Sequence, residues 1–153
     1  GTKALLATQG ASAVYPTAAV NLSVAAEKAR EVLESDRHIL IVCAGREGAF
    51  SLDDAYCAGR LAAAVLGSPR PRSGLNDAAI ACLDLVRRYR ENWERPLAFS
   101  RAGRELRKLG FRDEGVRPRM LHIDGDWRDH LVFALNAEEV PEGLLRRWEN
   151  LRR

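Results

Sequence analysis

The stretch HILIVCAGREGAFSLDDAYCAG, residues 38–59, decides the predicted fold of this 153-residue chain. Its apolar run from Ile39 to Cys43 is rich in β-branched side chains and precedes a loop with two glycines, which is typical of a strand buried on both faces. Ser51, with Asp54 three residues later, has the spacing of a helix N-cap and its reciprocal partner. The stretch therefore predicts a strand, a loop and a helix in succession.

The flanking sequence extends this alternation. It predicts four helices: over 2–8, after Asn21 or Ser23, over 52–66, and from 77 to about 92 with Asn76 as the cap. It also predicts a strand over 12–15 and a turn over 67–74. Alternating strands and helices favour right-handed crossovers with helices on both faces of a sheet. We therefore predict an α/β fold, layered α/β/α with a mostly parallel sheet, in a single domain over residues 1–153.

The pattern changes after Pro96. Ser100 is predicted to cap a helix that ends near Leu109, and Pro141 to open a closing helical segment. Residues 112–126 are polar and poorly periodic, which indicates a long loop or an insertion, followed by a helix from about Trp127.

Composition excludes some classes of function. The chain is 46% apolar and 29% charged and lacks the long uncharged segment of a membrane span, so we predict a soluble protein without a membrane partner. Its net charge of +3 divides into about −1 over residues 1–68 and about +4 over the remainder. So small a surplus, with tryptophans that do not alternate with arginines, argues against nucleic acid as a partner.

The cysteines Cys43, Cys57 and Cys82 are odd in number and form no CxxC motif. This usage predicts reduced, buried thiols and a cytoplasmic location. A nucleophilic Cys43 would need a nearby positive charge or a helix N-terminus to lower its pKa, and the middle of a strand offers neither.

Asp53 and Asp54 are adjacent carboxylates beside the glycine-bearing loop, and Glu47 lies six residues before the first of them. Mg²⁺ binds one or two carboxylates and keeps water positions that a substrate phosphate can take, so this spacing suits metal-assisted phosphoryl transfer. The alternative is structural: acidic residues in the first turn of a helix are stabilised by the macrodipole by about 0.3–1 kcal/mol each and need no ligand. The residues alone favour the structural explanation.

The loop itself is a second candidate. Gly45 and Gly48, with Arg46 between them, are compatible with an anion-binding turn, although neither a Walker A motif nor a dinucleotide-binding motif is present. Asn21 is either a helix cap or a polar group at the same sheet edge, where open parallel sheets bind ligands.

The segment HIDGDWRDH, residues 122–130, combines imidazoles and carboxylates. Its residues do not have the spacing of a known class of metal site, and their charge suits an exposed loop. We therefore favour a structural explanation for this segment.

Several segments together resemble the 2-phosphosulfolactate phosphatase family. CAGREGAFSLDDAYCAG, residues 43–59, is similar to a family segment written near CAGxxGxFSLEDxxCAG. Further similar segments, in the family's order, are GTKALLATQGA, AAVNLSVAA, LNDAAIACL, SRAGRELRKLG and DHLVFALNAEEVP. Asp53 stands where the family usually has Glu, and residues 112–127 interrupt a region that is more compact in the family.

The resemblance implies a Mg²⁺-dependent phosphomonoesterase that hydrolyses 2-phospho-3-sulfolactate to 3-sulfolactate and phosphate, a step toward coenzyme M. It implies that Asp53 and Asp54 are catalytic and metal-binding groups, with Glu47 as a further metal ligand. The implied substrate- or phosphate-binding residues are Thr2, Asn21, Gly45, Arg46 and Gly48.

The resemblance also implies partners. The substrate is expected to be a small phosphorylated sulfonate or 2-hydroxy acid. Gly1 and Thr2 match only the tail of a family motif, so an upstream N-terminal segment or chain is expected, and this chain would be the C-terminal portion of a longer phosphatase. Two alternative functions stay open: a phosphatase of another 2-phospho acid, and a non-catalytic α/β module that binds a metabolite or a partner. A homo-oligomer is a further possible partner.

Overall fold

The structure is a computed structural model that describes residues 2–35, 37–67, 73–123 and 126–151. The chain divides into two compact units, Gly1–Pro96 and Leu97–Arg153, which we call the helical unit and the hairpin unit. The single domain expected over residues 1–153 stays a prediction.

The helical unit is built from four helices, and a fifth crosses its boundary. Their bounds are α1 Thr2–Ala7, α2 Leu22–Glu34, α3 Leu52–Leu66, α4 Asp77–Tyr89 and α5 Glu94–Phe99, with a 3₁₀ turn over Ala19–Asn21. The sequence predicted α3 correctly and α4 with a later end. Asn76 caps α4 as predicted, because its side-chain oxygen accepts a hydrogen bond of 2.8 Å from the Ala79 N–H. The predicted turn over 67–74 lies partly outside the described residues, which omit 68–72.

Small residues bring α2 against α3. Ala25 and Ala26 of α2 are buried against Leu61 of α3. The Arg30 guanidinium extends this contact by donating hydrogen bonds of 3.1 and 3.2 Å to the Ala64 carbonyl. These contacts fix the second half of α3 against α2.

Tyr56 anchors the other side of α3. Its side chain is fully buried, and its ring meets those of Tyr89 and Trp93 edge to face, with centroids 6.0 and 4.9 Å away. Its hydroxyl donates a 2.6 Å hydrogen bond to the carbonyl of Arg90, directly after α4. The phenol therefore joins α3 to the end of α4 with its polar group satisfied.

The prediction of a mostly parallel sheet is wrong. Residues 12–15 and 39–43, expected to be strands, form no strand, and neither segment makes a backbone-to-backbone hydrogen bond with other described residues. Within the described residues the sheet consists of two antiparallel strands, β1 Arg112–Ile123 and β2 Asp126–Ala134. β-branched residues favour an extended backbone, but a strand also needs a neighbour to complete its hydrogen bonds. The layered α/β/α arrangement is therefore not formed.

The hairpin unit contains this sheet, α6 Arg101–Lys108, a 3₁₀ turn over Ala137–Glu139 and α7 Leu144–Leu151. Ser100 caps α6 as predicted by accepting a 3.1 Å hydrogen bond from the Gly103 N–H. Pro141 does not open the last helix, because it lies in a turn three residues before α7 begins.

The predicted loop over 112–126 and the predicted helix from Trp127 are also wrong, since β1 covers residues 112–123 and β2 covers residues 126–134. Register shifts between Asp113 and Val116, and between Arg117 and Leu121, interrupt the pairing. Such irregularities insert extra residues and break the alternation of a strand, which explains why the sequence pattern was not recognised.

None of the helices in the described part of the chain combines the length and apolar character needed to cross a bilayer.

Candidate functional site

The loop before α3 is a tight turn. The Arg46 N–H donates to the Ala49 carbonyl at 3.2 Å, and the Ala49 N–H donates back to the Arg46 carbonyl at 2.9 Å. The two central residues, Glu47 and Gly48, have φ angles of +54° and +79°. Positive φ at both central positions is the signature of a type I′ turn, so the backbone conformation of this loop is closely defined.

Asp54 fastens this turn to the first turn of α3. Its Oδ2 accepts a 2.7 Å hydrogen bond from the Gly45 N–H. Ser51 occupies the N-cap position, but its side chain makes no cap bond and its hydroxyl donates to the Asp53 carboxylate instead. The predicted reciprocal cap between Ser51 and Asp54 is therefore wrong, and Asp54 connects the helix to the loop.

Gly45 permits this arrangement. Its φ is +65°, and a Cβ atom there would lie 2.8 Å from the Ala49 carbonyl oxygen. The amides of Gly45, Arg46 and Ala49 are all used by Asp54 or by the turn itself. The loop therefore offers less backbone to a phosphate than its glycine spacing predicts.

Asp53 and Asp54 are half-buried and lie in the first turn of α3, where the helix dipole favours negative charge. Each carboxylate has one oxygen in a hydrogen bond, to Ser51 and to Gly45 respectively, and the second oxygen has no partner among the described residues. Mg²⁺ is usually bound by one or two protein carboxylates and keeps several water ligands, so two such oxygens are chemically suitable for it.

Glu47 was predicted as a third metal ligand. It is exposed at the corner of the turn. Among the described residues there is no group of three or more His, Cys, Asp or Glu side chains that could hold a metal ion. The structure therefore does not bring Glu47 together with Asp53 and Asp54 as a third ligand.

The structure gives Asn21 a different contact from the predicted cap. It precedes α2 but makes no side-chain cap bond. Its side-chain oxygen accepts from the Ala18 N–H at 2.7 Å, and its amide donates to the Pro16 carbonyl at 3.0 Å. Asn21 thus closes the turn before α2, while Thr2 is exposed at the start of α1.

Asp54 borders a cavity of about 570 Å³ in the helical unit. The cavity is also lined by parts of α1, α2 and α3 and by the segments 11–17 and 37–44, which form neither helix nor strand. Asp54 is the one predicted site residue on its wall. The others do not line the cavity: Thr2, Asn21, Gly45, Arg46, Glu47, Gly48 and Asp53.

The cavity wall includes polar residues that the sequence analysis did not select. Arg37 and His38 lie at one end of the apolar stretch, and Asp54 follows it after the turn. Arg37 donates a hydrogen bond to the hydroxyl of Ser12, which also lines the cavity. The sequence signal that could have identified them is the adjacent pair of basic residues, Arg37 and His38, directly before the apolar run.

The thiols near Asp54 are protonated at neutral pH. Burial raises the pKa of Cys57 to about 11, and the negative charge of Asp54 acts in the same direction. Burial, followed by smaller effects of Cys82 and Asp54, also raises the pKa of Cys43. All three cysteines are free, but Cys43 is exposed and the other two are partly buried, so the prediction of three buried thiols is wrong.

The segment over 122–130 belongs to the hairpin. The His122 and Trp127 rings pack edge to face across the two strands with centroids 5.3 Å apart. Asp124, part of the sequence pattern, lies outside the described residues. The ring contact agrees with a structural role for this segment.

Comparison with known proteins identifies the family. The family model described as 2-phosphosulpholactate phosphatase matches residues 1–117, which include the turn, both carboxylates and the cavity wall. This chain belongs to the 2-phosphosulfolactate phosphatase family. The family resemblance inferred from the sequence is thereby confirmed.

Curated relatives in this family are described as probable 2-phosphosulfolactate phosphatases. The protein of Symbiobacterium thermophilum is 33% identical over 114 residues, which cover 74% of this chain and 47% of the relative. That of Prochlorococcus marinus is 31% identical over 115 residues, which cover 74% of this chain and 46% of the relative. The chain thus spans about half the length of these relatives. No solved structure matches it significantly.

Proposed function

We propose that this chain supplies the Asp53–Asp54 part of the active site of a Mg²⁺-dependent phosphomonoesterase that hydrolyses 2-phospho-3-sulfolactate to 3-sulfolactate and phosphate. The observation that carries the proposal is the family match over residues 1–117, within which Asp54 is held by the Gly45 amide at the wall of a cavity. A cytoplasmic location and a role on the way to coenzyme M belong to the same proposal.

The chemistry requires positive charge. The substrate carries a phosphate, a sulfonate and a carboxylate, so binding and attack both need cations that screen these groups. Bound Mg²⁺ would polarise the phosphoryl oxygens and offset the charge that develops on them. Asp53 and Asp54 would hold it through the carboxylate oxygens that Ser51 and Gly45 leave without a partner.

The chain's own residues orient these groups. The Gly45 N–H and the packing of α3 on α2 keep Asp54 in one position, so little reorganisation is needed when a cation binds. Arg46 in the turn and Arg37 at the cavity are the proposed partners of the substrate's sulfonate and carboxylate. Contacts from Thr2, Asn21, Gly45 and Gly48 to the substrate are proposed from the family resemblance.

Two phosphate-release assays, each run on the chain alone and on the coexpressed protein, test the proposal. Phosphate release from 2-phospho-3-sulfolactate is measured with and without Mg²⁺, and the same reaction is measured with 2-phospholactate, which lacks the sulfonate. The chain is assayed alone and after coexpression with the remaining part of the family's length. We expect release that depends on Mg²⁺ and is faster for the sulfonate substrate. Equal rates for both substrates would indicate a phosphatase of another 2-phospho acid.

Asp54→Asn keeps an oxygen that can accept from the Gly45 N–H and removes the negative charge. We expect kcat to fall by about 100-fold or more because a catalytic charge is lost. The free energy of unfolding should fall by only about 0.3–1 kcal/mol, because the helix dipole favours the lost charge while the hydrogen bond from Gly45 can be kept. Asp84→Asn is the matched control, since Asp84 is an exposed carboxylate of α4 paired with Arg87. Unchanged hydrolysis by Asp54→Asn would remove Asp54 from the mechanism.

A further inference from the structure

Two segments of the helical unit that form neither helix nor strand expose apolar side chains. In the segment 37–44, Leu40 is 79% exposed, and Ile39, Ile41 and Val42 are each more than one third exposed. In the segment 11–17, Val14 is 44% exposed and Tyr15 53% exposed. Exposed apolar residues that are contiguous in this way are typical of interaction surfaces.

The backbone of these segments is unpaired as well. Between 38 and 44, and between 12 and 17, no described residue makes a backbone-to-backbone hydrogen bond. The next backbone group along the chain with a hydrogen bond is the Gly45 N–H, which donates to the Asp54 carboxylate. In 12–17, the Tyr15 and Pro16 carbonyls accept hydrogen bonds from the side chains of Thr17 and Asn21, whereas the backbone groups of 38–44 have no partner among the described residues. A segment with unused N–H and C=O groups is a template for strand addition.

Both segments line the same cavity in the helical unit. The cavity has a volume of about 570 Å³, and its floor is formed by residues of α2 and α3, including Ala29, Val32, Ala58 and Leu61. A peptide laid along it would cover apolar side chains and pair backbone groups together. A small molecule would cover the side chains but leave the row of amides and carbonyls unsatisfied.

We infer that this face binds an extended polypeptide by strand addition, and that the polypeptide is the part of the 2-phosphosulfolactate phosphatase length that this chain does not match. The relatives contain roughly as much polypeptide again as the matched portion, because the match covers 47% and 46% of two of them. That polypeptide would bring its own groups to the cavity wall beside Asp54.

Coexpression tests the inference. The full 153-residue chain carries an affinity tag and is coexpressed with the portion of the Symbiobacterium thermophilum relative that it does not match, so that the two polypeptides meet during synthesis. We expect an equimolar complex on purification. Hydrogen–deuterium exchange is then compared with that of the chain alone, and we expect at least 10-fold slower exchange of the amides between 38 and 44.

Leu40→Pro removes one N–H that the described chain does not use, at a side chain that is 79% exposed, so its urea midpoint should change little while complex formation falls at least 10-fold. Phe50→Ser is the matched control, because Phe50 is 76% exposed but lies beyond the turn, and its complex should form normally. The binding readout is independent of hydrolysis, so its failure is distinguishable from failure of the proposed function.

Three results would overturn the inference. The first is the absence of copurification. The second is a complex in which the amides between 38 and 44 exchange as fast as before. The third is a dimer of this chain, detected by light scattering without the second polypeptide, that protects the same amides.

Discussion

At the scale of single residues, the contact between Gly45 and Asp54 determines the geometry of the candidate site. One hydrogen bond of 2.7 Å joins the turn to α3, and it exists because Gly45 has a φ of +65° and no side chain. The carboxylate that the proposed function needs is therefore also a structural group. Within the described part of the chain, Asp53 is held by a side chain alone, because its carboxylate accepts from the Ser51 hydroxyl.

Gly45→Ala tests this geometry. The new Cβ would lie 2.8 Å from the Ala49 carbonyl oxygen in a left-handed conformation, so we expect a loss of about 2–4 kcal/mol in the free energy of unfolding. Gly48→Ala is the control, since Gly48 has a φ of +79° but open space, and it should cost about 1–2 kcal/mol. Urea denaturation measures both. Equal losses would show that the close approach to Ala49 contributes nothing.

At the scale of elements, α3 is the central helix of the helical unit. It packs on α2 through alanines and Leu61, and on α4 through a backbone contact at Gly59. A Cβ atom on Gly59 would lie 2.1 Å from the Cys82 carbonyl oxygen, which belongs to the rigid backbone of α4. Helix packing, more than helix propensity, therefore holds the start of α3 in place.

Gly59→Ala distinguishes the packing of α3 from its helix propensity, because the two predict opposite changes in the free energy of unfolding. Alanine would stabilise an isolated helix by about 1 kcal/mol relative to glycine, whereas the clash with α4 should reverse this and destabilise the protein by about 2 kcal/mol or more. Ala81→Gly on the exposed face of α4 calibrates propensity alone, at about 1 kcal/mol. A more stable Gly59→Ala variant in urea denaturation would contradict the close packing of α3 and α4.

At the scale of the whole molecule, burial of the thiol of Cys57 makes stability depend on pH. The pKa of Cys57 is about 11 in the folded protein and near 9.0 without burial, so between these values the folded state keeps a proton that the unfolded state loses. This stabilisation is complete below pH 9 and disappears as the pH rises through 11.

Cys57→Ala and Cys57→Ser should both show a shallower fall of the unfolding free energy between pH 9 and 11 than the parent protein. Neither side chain titrates in this range, so the two variants should differ from each other by an offset that does not depend on pH. Urea denaturation at pH 8, 9, 10 and 11 measures the slopes. Slopes equal to that of the parent would show that the Cys57 thiol is not desolvated.

Signals confined to neighbouring residues were sufficient to predict several elements. The α3 helix over 52–66, the Asn76 cap and the Ser100 cap follow from side chains that act within one turn of their own backbone. The motif over residues 43–59 was specific enough to indicate the family. Asp53 and Asp54 were predicted to lie at the start of α3 for the same local reason.

Tertiary structure decided what depends on partners far away in the chain. The run from Ile39 to Cys43 has the composition of a buried strand, yet it is unpaired and exposed, because a strand is defined by hydrogen bonds to another segment. The hairpin over 112–134 formed despite its irregular sequence, because each strand provides the other with those bonds. The bond from Gly45 to Asp54 and the cavity beside Asp54 likewise required the folded chain. By itself, the sequence determined helices, caps and family, whereas long-range contacts decided which extended segments became strands and which side chains face the cavity.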